Sequence, residues 1–369
     1  MSVPSLRRVL AASAVVSIGG LTAVPTVVPS STPSASGTVL VRVADDQPIA
    51  GVAVEAYADA TLATHVGGCT TGDDGTCTVD GLAPGTVWLV AASGPPSGTH
   101  LPLDTVTTTF EGEVRYAVSV DVPDVATATD PPVEAPPIVL RRVDPALRAA
   151  CGLRVRLVFD LSSSVSPAEA ELLRMAAIGF VDALTGTPTE IAVGSFATSA
   201  PAAGNADLGF TSVATPGGAL GVRAAIAALT PPAGDDGFTN WDAGLRAAAA
   251  APGARADVVV VLTDGSPTVM GVPAVYPPVV TDLDQIAAGV RAANALKVQG
   301  IRVVAVGVGD AFEVAAPNLV AISGPVEGSD VTRTSFAGLP AVFAGLAGAL
   351  CPTPEPPTPP APPEPEPAP

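Results

Sequence analysis

The sequence has few of the side chains that most enzymes use. Its 369 residues include one lysine, Lys297, and two histidines, His65 and His100, against 35 aspartates and glutamates. Both histidines fall in a region predicted below to be all-β, where we interpret them as surface residues. A Ser-His-Asp hydrolase, which needs a histidine beside its nucleophile, is therefore disfavoured. The formal net charge of -18 disfavours nucleic acid and anionic membranes as partners, because both are negatively charged.

Motifs of other catalytic classes are also missing. No Gly-x-Ser-x-Gly sequence occurs in the chain. Gly307-Val308-Gly309 follows a predicted strand, but Phe312 stands where a dinucleotide-binding loop has its third glycine. Lys297 has no glycine-rich loop beside it, so a P-loop is not indicated either. These absences favour a protein that binds over one that catalyses.

The N-terminus is typical of an export signal. Arg7 and Arg8 precede an apolar stretch at residues 9–24, and small residues follow it. The stretch is too short and too weakly apolar for a membrane anchor, and no later stretch is long enough to span a bilayer. We expect cleavage within residues 22–36 and a secreted or surface-associated protein with no stable transmembrane segment afterwards.

Four cysteines in an exported chain predict two disulfides, for which three pairings exist. Cys69 and Cys77 bracket the turn sequence at residues 71–76, so a hairpin would bring them together. Cys151 and Cys351 then remain, and they bracket the second predicted domain. A zinc site would need closely spaced cysteine or histidine pairs, and the chain has none.

Composition and patterning divide the chain into five parts. Short apolar strands separated by turn residues predict a small all-β sandwich in the second part. Alternating strands and helices with mostly apolar strands predict, for the fourth, an α/β domain whose parallel sheet is covered on both faces. The parts are a signal peptide and spacer (1–36), the β-sandwich module (37–123), a Pro-rich linker and lead-in (124–150), the α/β domain (151–351) and a Pro/Glu-rich tail (352–369).

Within the α/β domain, Ser166-Pro167-Ala168-Glu169 predicts a capped helix start, with proline in the first turn. The other boundaries follow from the periodicity of apolar residues. The predicted strands are 154–159, 190–196, 257–262, 301–308 and 319–322, and the predicted helices are 166–184, 217–229, 241–250, 282–299 and 336–350.

Three loops of this domain carry side chains suited to a metal. Asp160-Leu161-Ser162-Ser163-Ser164 and Asp264-Gly265 each follow a predicted strand, and Gly237-Phe238-Thr239-Asn240 precedes a predicted helix. Ligands of open parallel sheets bind outside the carboxyl ends of the strands, where such loops converge. Hydroxyl and carboxylate oxygens are the ligands that Mg²⁺ and Mn²⁺ prefer.

These three loops resemble the metal-ion-dependent adhesion site of von Willebrand factor type A domains, and the likeness covers about residues 151–351. It implies a doubly wound, mostly parallel sheet of Rossmann-like type and a bound Mg²⁺, with Mn²⁺ or Ca²⁺ as alternatives. It also implies metal contacts from the hydroxyls of Ser162, Ser164 and Thr239. Asp160 and Asp264 would hold the ion mainly through ordered waters.

The resemblance further implies non-catalytic adhesion, in which a protein ligand presents an Asp or Glu carboxylate to the ion. One alternative is a structural role in which the domain captures a cell-envelope or pilus subunit. A metal-dependent hydrolase is the other, since Asp160 and Asp264 could pair as acid and base. Tyr276, in the apolar loop 269–280, is the candidate ligand contact, whereas Trp241 is expected to pack in the core.

The β-sandwich module has its own likeness. Residues 47–54, 74–75 and 81–86 resemble prealbumin-like sandwich repeats of bacterial surface proteins, among them collagen-adhesin B-type repeats. Isopeptide cross-links in that family require lysine and asparagine, and residues 37–123 contain neither. The Cys69–Cys77 bridge is expected to stabilise the module instead, and Asp73 and Asp74 are interpreted as turn residues.

Overall fold

The computed structural model describes residues 36–45, 47–109, 111–124, 131–147, 151–232, 234–250, 255–276, 281–309 and 315–351. They form an all-β region followed by an α/β domain, as predicted. The predicted signal peptide and spacer, apart from Ser36, and the predicted tail lie outside the described residues. No helix in the described ranges is both long enough and apolar enough to cross a membrane.

The all-β region is built around two sheets that share an apolar core. One has the strand order β12-β1-β6 and the other β11-β7-β4-β5. Alternate residues such as Val39, Val41 and Leu89 point into this core and are fully buried. The strands are β1 (Gly37–Arg42), β2 (Ala44–Asp45), β3 (Gln47–Pro48), β4 (Ala53–Tyr57), β5 (His65–Thr70), β6 (Thr76–Leu82), β7 (Gly85–Ser93), β8 (His100–Leu101), β9 (Thr105–Thr108), β10 (Gly112–Arg115), β11 (Val118–Val122), β12 (Val133–Glu134) and β13 (Arg141–Arg142).

The Cys69–Cys77 disulfide forms as predicted, but not within a hairpin. Cys69 in β5 pairs with Val54 of one sheet, and Cys77 in β6 pairs with Val41 of the other. The turn between them carries the chain from sheet to sheet, with Asp74 accepting a hydrogen bond from the Thr76 amide at 3.0 Å. The hairpin prediction was wrong because a turn sequence fixes a chain reversal but not the strand that each arm joins.

Part of the predicted linker is folded. Strand β12 pairs in parallel with β1, and β13 pairs with β8. Ile138, Val139 and Leu140 are buried between the all-β region and the α/β domain. Proline richness pointed to an extended spacer, yet extended backbone can also add a short strand to a sheet edge. The domain limits themselves stay a prediction.

The α/β domain contains a six-stranded sheet of order β16-β15-β14-β17-β18-β19, in which only the β15–β16 pairing is antiparallel. The chain leaves β14 toward one edge and returns to add β17 on its other side, so the topological switch point lies between β14 and β17. The elements are β14 (Arg154–Asp160), α1 (Pro167–Leu184), β15 (Glu190–Phe196), β16 (Leu208–Ser212), α2 (Pro216–Ala227), α3 (Trp241–Ala250), β17 (Val258–Thr263), α4 (Leu283–Val298), β18 (Arg302–Val308), α5 (Ala316–Ile322), β19 (Val331–Thr334) and α6 (Leu339–Leu350), with short 3-10 helices at Gly234–Asp236 and Phe336–Gly338.

Helices cover both faces of this sheet. Helices α1, α2 and α6 pack on the face that carries Leu157 and Leu262. Helices α3, α4 and α5 pack on the face that carries Val259 and Val303, and their apolar cluster continues into the core of the all-β region. The four central strands, β14, β15, β17 and β18, are therefore buried on both sides, which explains their largely apolar sequences.

The structure confirms the Ser166–Glu169 capping box at the start of α1. It also confirms the Cys151–Cys351 disulfide, which joins a residue three positions before β14 to the residue after α6. The prediction was wrong for one element. Residues 319–322 lie in helix α5 and not in a strand, and the last strand of the sheet is β19. Pro317 in the first turn of α5 is a helix-start signal that a short run of β-favouring residues concealed. Strand β16 was not predicted.

Candidate functional site

The site begins where β14 and β17 end side by side. Phe159 is paired with Leu262, which places the next residues, Asp160 and Thr263, next to each other at the carboxyl edge of the sheet. The Thr263 hydroxyl donates to Asp160 Oδ2 at 2.6 Å, and the Ser162 amide donates to Asp160 Oδ1 at 3.0 Å. The Trp241 indole N–H in turn donates to the Thr263 hydroxyl at 3.2 Å. Asp160 is therefore fixed in orientation from both of its oxygens.

A row of hydroxyls connects the two carboxylates. The hydroxyl oxygens of Ser162 and Ser164 lie 3.0 Å apart, and the Ser164 hydroxyl donates to Asp264 Oδ1 at 2.9 Å. The loop after β14 is thereby joined to the loop after β17. Four of the five predicted metal-site residues are in one hydrogen-bonded group.

The loop before α3 brings the fifth residue, Thr239. Its amide donates to the Thr268 hydroxyl at 2.9 Å, and its carbonyl accepts from the Thr268 amide at 2.8 Å. At the other end of the loop, the Gly237 carbonyl accepts from the Ser163 amide at 2.8 Å. A Cβ on Gly237 would lie 2.8 Å from the Cβ of Ser163, so the close approach of these two loops requires glycine.

The three loops open into a cavity of about 530 Å³. Ser164, Thr239 and Asp264 line it, whereas Asp160 and Ser162 lie behind this surface and are each 1% exposed. Hydrogen bonds connect Asp160 and Ser162 to Ser164 and Asp264, whereas Thr239 is held by its contacts with Thr268. The predicted site residues thus form two layers, one facing the cavity and one supporting it.

The electrostatics of the inner layer favour a cation. Burial raises the pKa of Asp160 to about 6, while hydrogen bonds from Thr263 and Ser162 act in the opposite direction. Both of these groups are neutral donors. Within the described residues, no lysine or arginine forms an ion pair with Asp160. A positive charge brought to this edge would stabilise the ionised carboxylate.

The donor set fits a hard divalent cation. It consists of three hydroxyls and two carboxylates, all oxygen, at one rim of the sheet. Across the described residues, no group of three or more His, Cys, Asp and Glu side chains is placed to hold an ion. A site of this kind depends on serine and threonine oxygens, so carboxylate counting alone does not find it.

Sequence reasoning missed residues that position the loops. Asn240 is fully buried, donates to the carbonyls of Thr198 and Gly271 at 3.0 Å each, and accepts from the Ala243 amide. Asp242 accepts from the Gly271 amide at 3.1 Å. A polar residue just before a helix is a capping signal, and that signal could have identified Asn240.

The aromatic expectations are partly met. Trp241 is buried in the core, as predicted. Tyr276 is 54% exposed and contacts Phe238 edge-on, with ring centroids 5.3 Å apart. Its role as a ligand contact stays a prediction, and residues 277–280 of its loop lie outside the described part.

The two histidines of the all-β region differ in burial. His65 is exposed, but His100 is buried beside Asp45, so the surface interpretation of His100 was wrong.

Comparison with known proteins agrees with this architecture. Residues 155–342, more than half of the chain, match the von Willebrand factor type A domain. No curated protein sequence matches the chain. Similar solved structures include proximal thread matrix protein 1 from the mussel byssus, 24% identical over 55% of this chain and 47% of that one, with a TM-score of 0.40.

Two further structures come from bacteria. The pilus adhesin SpaC of Lactobacillus rhamnosus GG is 15% identical over 57% of this chain and 31% of its own, with a TM-score of 0.42. The vWF domain of the type V pili tip protein Mfa5 of Porphyromonas gingivalis is 16% identical over 55% of this chain and 96% of its own, also with a TM-score of 0.42. This chain spans less than half the length of the mussel protein and of SpaC. Because the family match covers more than half of the sequence, we conclude that this protein belongs to the von Willebrand factor type A domain family.

Proposed function

We propose that this protein binds another protein, without catalysis, through a divalent cation held at the rim described above. Mg²⁺ is the expected ion, with Mn²⁺ or Ca²⁺ as alternatives, because all three take oxygen ligands. In this proposal the hydroxyls of Ser162, Ser164 and Thr239 contact the ion. Asp160 and Asp264 hold it through ordered waters.

The hydrogen-bonded row from Asp160 through Ser162 and Ser164 to Asp264 is the observation that supports the proposal most. It gathers oxygen donors from two loops at one point beside a cavity. A turn rich in serine and aspartate would by itself explain one loop. It would not explain why Asp264, one hundred residues after Ser164, accepts a hydrogen bond from the same row of hydroxyls.

The protein's own groups would orient the ligand site. Thr263 and the Ser162 amide hold Asp160 in place, and the Thr268 contacts hold the Thr239 loop. A bound divalent ion would supply one coordination position at which a partner's Asp or Glu carboxylate replaces a water. The cavity gives that carboxylate a path to the rim.

We also propose that the protein is exported and acts outside the cell or at its surface. Arg7 and Arg8 before an apolar stretch support an export signal. The two disulfides agree with this, because such bonds persist in oxidising compartments.

The test is surface plasmon resonance against surface or secreted proteins captured by the immobilised chain, in Mg²⁺ and in EDTA. We expect binding in Mg²⁺ that EDTA abolishes and that depends on one Asp or Glu of the partner. Thr239→Ala should weaken partner binding more than metal binding. The same change at Thr78, which is exposed on β6 of the all-β region, is the matched control and should alter neither.

Two results would contradict the proposal. Binding that survives EDTA and every carboxylate replacement would leave the rim without a role in adhesion. Stable co-purification with envelope or pilus subunits in EDTA would favour the assembly role instead.

A further inference from the structure

A hairpin of the all-β region reaches the cavity beside the proposed metal site, Asp160, Ser162, Ser164, Thr239 and Asp264, which we call the metal rim. Strands β9 and β10 pair with each other, and the end of β9 and the residue after it supply Thr107, Thr108 and Thr109 to the cavity lining. We call these three residues the threonine wall. Ser164, Thr239 and Asp264 line the same cavity. Two regions that sequence reasoning treated separately therefore enclose one space.

A buried asparagine fixes the threonine wall to the metal loops. Asn318 Oδ1 accepts from the Thr107 amide at 2.8 Å, and Asn318 Nδ2 donates to the Thr107 carbonyl at 2.8 Å. The same Nδ2 donates to the Ser266 hydroxyl at 3.0 Å, two residues after Asp264. Asn318 is fully buried, so this amide has a fixed position. One side chain, Asn318, therefore links the threonine wall to the loop that carries Asp264.

A second attachment lies at the end of the wall. The Thr109 amide donates to the Thr281 carbonyl at 3.1 Å, and the Thr281 hydroxyl donates to the Pro267 carbonyl at 2.7 Å. Backbone bonds on both sides of Thr108 thus hold it at the cavity. The wall cannot move away from the rim without breaking the three hydrogen bonds that join Thr107 and Thr109 to Asn318 and Thr281.

One aromatic side chain contributes to the cavity from another loop. Phe238 lines it and is 36% exposed, and Tyr276 packs edge-on against Phe238. Phe238 follows Gly237, whose carbonyl accepts from the Ser163 amide, whereas the wall is attached to Thr281 and to Asn318 of α5. The cavity therefore has an apolar contribution from Phe238 and a polar, hydroxyl-bearing one from the wall.

We propose that the threonine wall is part of the ligand site and selects the residues that flank the partner's acidic residue. This inference rests on the proposed function, because the rim anchors that acidic residue. The ligand class is an extended protein segment with a central Asp or Glu, a polar neighbour against the wall and an apolar neighbour against Phe238 and Tyr276.

Three observations favour a segment over a lone carboxylate. The cavity volume falls in the range of about 300–1,000 Å³ typical of sites for whole ligands. The wall offers threonine hydroxyls, which both donate and accept hydrogen bonds. The net charge of -18 repels acidic partners at long range, so short-range contacts around the ion must provide the selectivity.

The experiment uses phage-displayed linear heptapeptides with a fixed central Asp, selected on the full chain in Mg²⁺ and eluted with EDTA. The selected peptides are then titrated by fluorescence polarisation against wild type, Thr108→Trp and Thr109→Trp. Thr109 is exposed, so its variant should fold even if Thr108→Trp does not. Thr78→Trp, on the exposed face of β6, is the matched control. Mn²⁺ affinity is measured for every variant.

We expect wild-type selection to give peptides with defined flanking residues that bind at least tenfold more weakly to the wall variants. Mn²⁺ affinity should change less than twofold, and Thr78→Trp should bind like wild type. Equal peptide affinity of wild type and both wall variants would overturn this inference and leave the proposed function standing. Absence of EDTA-eluted peptides from the wild-type selection would contradict the proposed function itself.

Discussion

Two of the regions in which this protein buries aspartates differ in where the positive charge comes from. At the first, which we call the interdomain cluster, Asp144 and Asp330 lie with Lys297 and Arg302. Lys297 Nζ lies 3.5 Å from Asp144 Oδ1 and donates to the Arg142 carbonyl at 3.0 Å, and Arg302 pairs with Asp330. The chain supplies its own cations here.

At the metal rim the chain supplies hydroxyls instead. The groups that donate to Asp160 are the Ser162 amide and the Thr263 hydroxyl, both neutral. Burial raises the pKa of Asp160 to about 6, and it raises the pKa of Asp144 to about 6 even though Lys297 opposes the shift. Both carboxyls are costly to ionise in place. The interdomain cluster offsets that cost with lysine and arginine, whereas the function proposed above assigns this role at the rim to an external cation.

The largest expected effect follows from removing the lysine. Both side chains of the Lys297–Asp144 pair are buried, with the Lys297 side chain 0% exposed. Lys297→Met would therefore leave Asp144 buried without its cationic partner. We expect a loss of about 3–5 kcal/mol in the free energy of unfolding. Urea denaturation followed by circular dichroism measures it.

Two controls accompany this variant. The double variant Lys297→Met/Asp144→Leu should recover most of the lost stability, since it removes both charges. Arg154→Met breaks an exposed pair with Glu190 and should change stability little. A Lys297→Met protein as stable as wild type would show that the lysine does not balance the buried carboxylates.

A pH series sharpens the same comparison. Burial raises the pKa of Asp144 from 3.8 to about 6, so between these values the folded protein keeps a proton that the unfolded chain releases. The stability that Asp144 contributes is complete below about pH 4 and is lost as pH rises through 6. The full shift corresponds to about 3 kcal/mol. We expect the unfolding free energy of wild type to fall relative to Asp144→Asn across this window, and parallel curves would contradict the assignment.

A smaller effect is expected at the rim from Thr263→Val, which keeps the shape of the side chain but removes the donor to Asp160. Groups that orient metal-binding residues typically contribute 10–100-fold in affinity, and we expect roughly tenfold weaker Mn²⁺ binding. Thr211→Val on edge strand β16 provides the control. Isothermal titration calorimetry would contradict the orienting role if both variants bound Mn²⁺ like wild type.

Most of the rim was predictable because Asp160, Ser162, Ser164 and Asp264 follow apolar strands. The runs before Asp160 and Asp264 predicted β14 and β17, and parallel strands bring their carboxyl ends to one edge. The hydrogen-bonded row of Ser162 and Ser164 then follows from local sequence. In the same way, the Ser166–Glu169 pattern predicted the start of α1, since a capping box is a local interaction.

The threonine wall and the interdomain cluster were not predictable in this way. Thr107 meets Asn318 across 211 positions of sequence, and Lys297 meets Asp144 across 153, through tertiary packing alone. Nothing local distinguishes these threonines from other strand residues. The same limit explains α5, where four apolar residues suited a strand as well as a helix until their packing decided between them.

The central claim is that serine hydroxyls at the rim hold a divalent cation, and calorimetric titration with Mn²⁺ tests it most directly. The comparison is between wild type, Ser162→Ala/Ser164→Ala and Ser163→Ala, the last being a serine of the same loop outside the predicted ligand set. We predict one site in wild type and in Ser163→Ala, and no measurable binding in the double variant, with the circular dichroism spectrum unchanged. A double variant that binds Mn²⁺ with wild-type affinity would contradict the account.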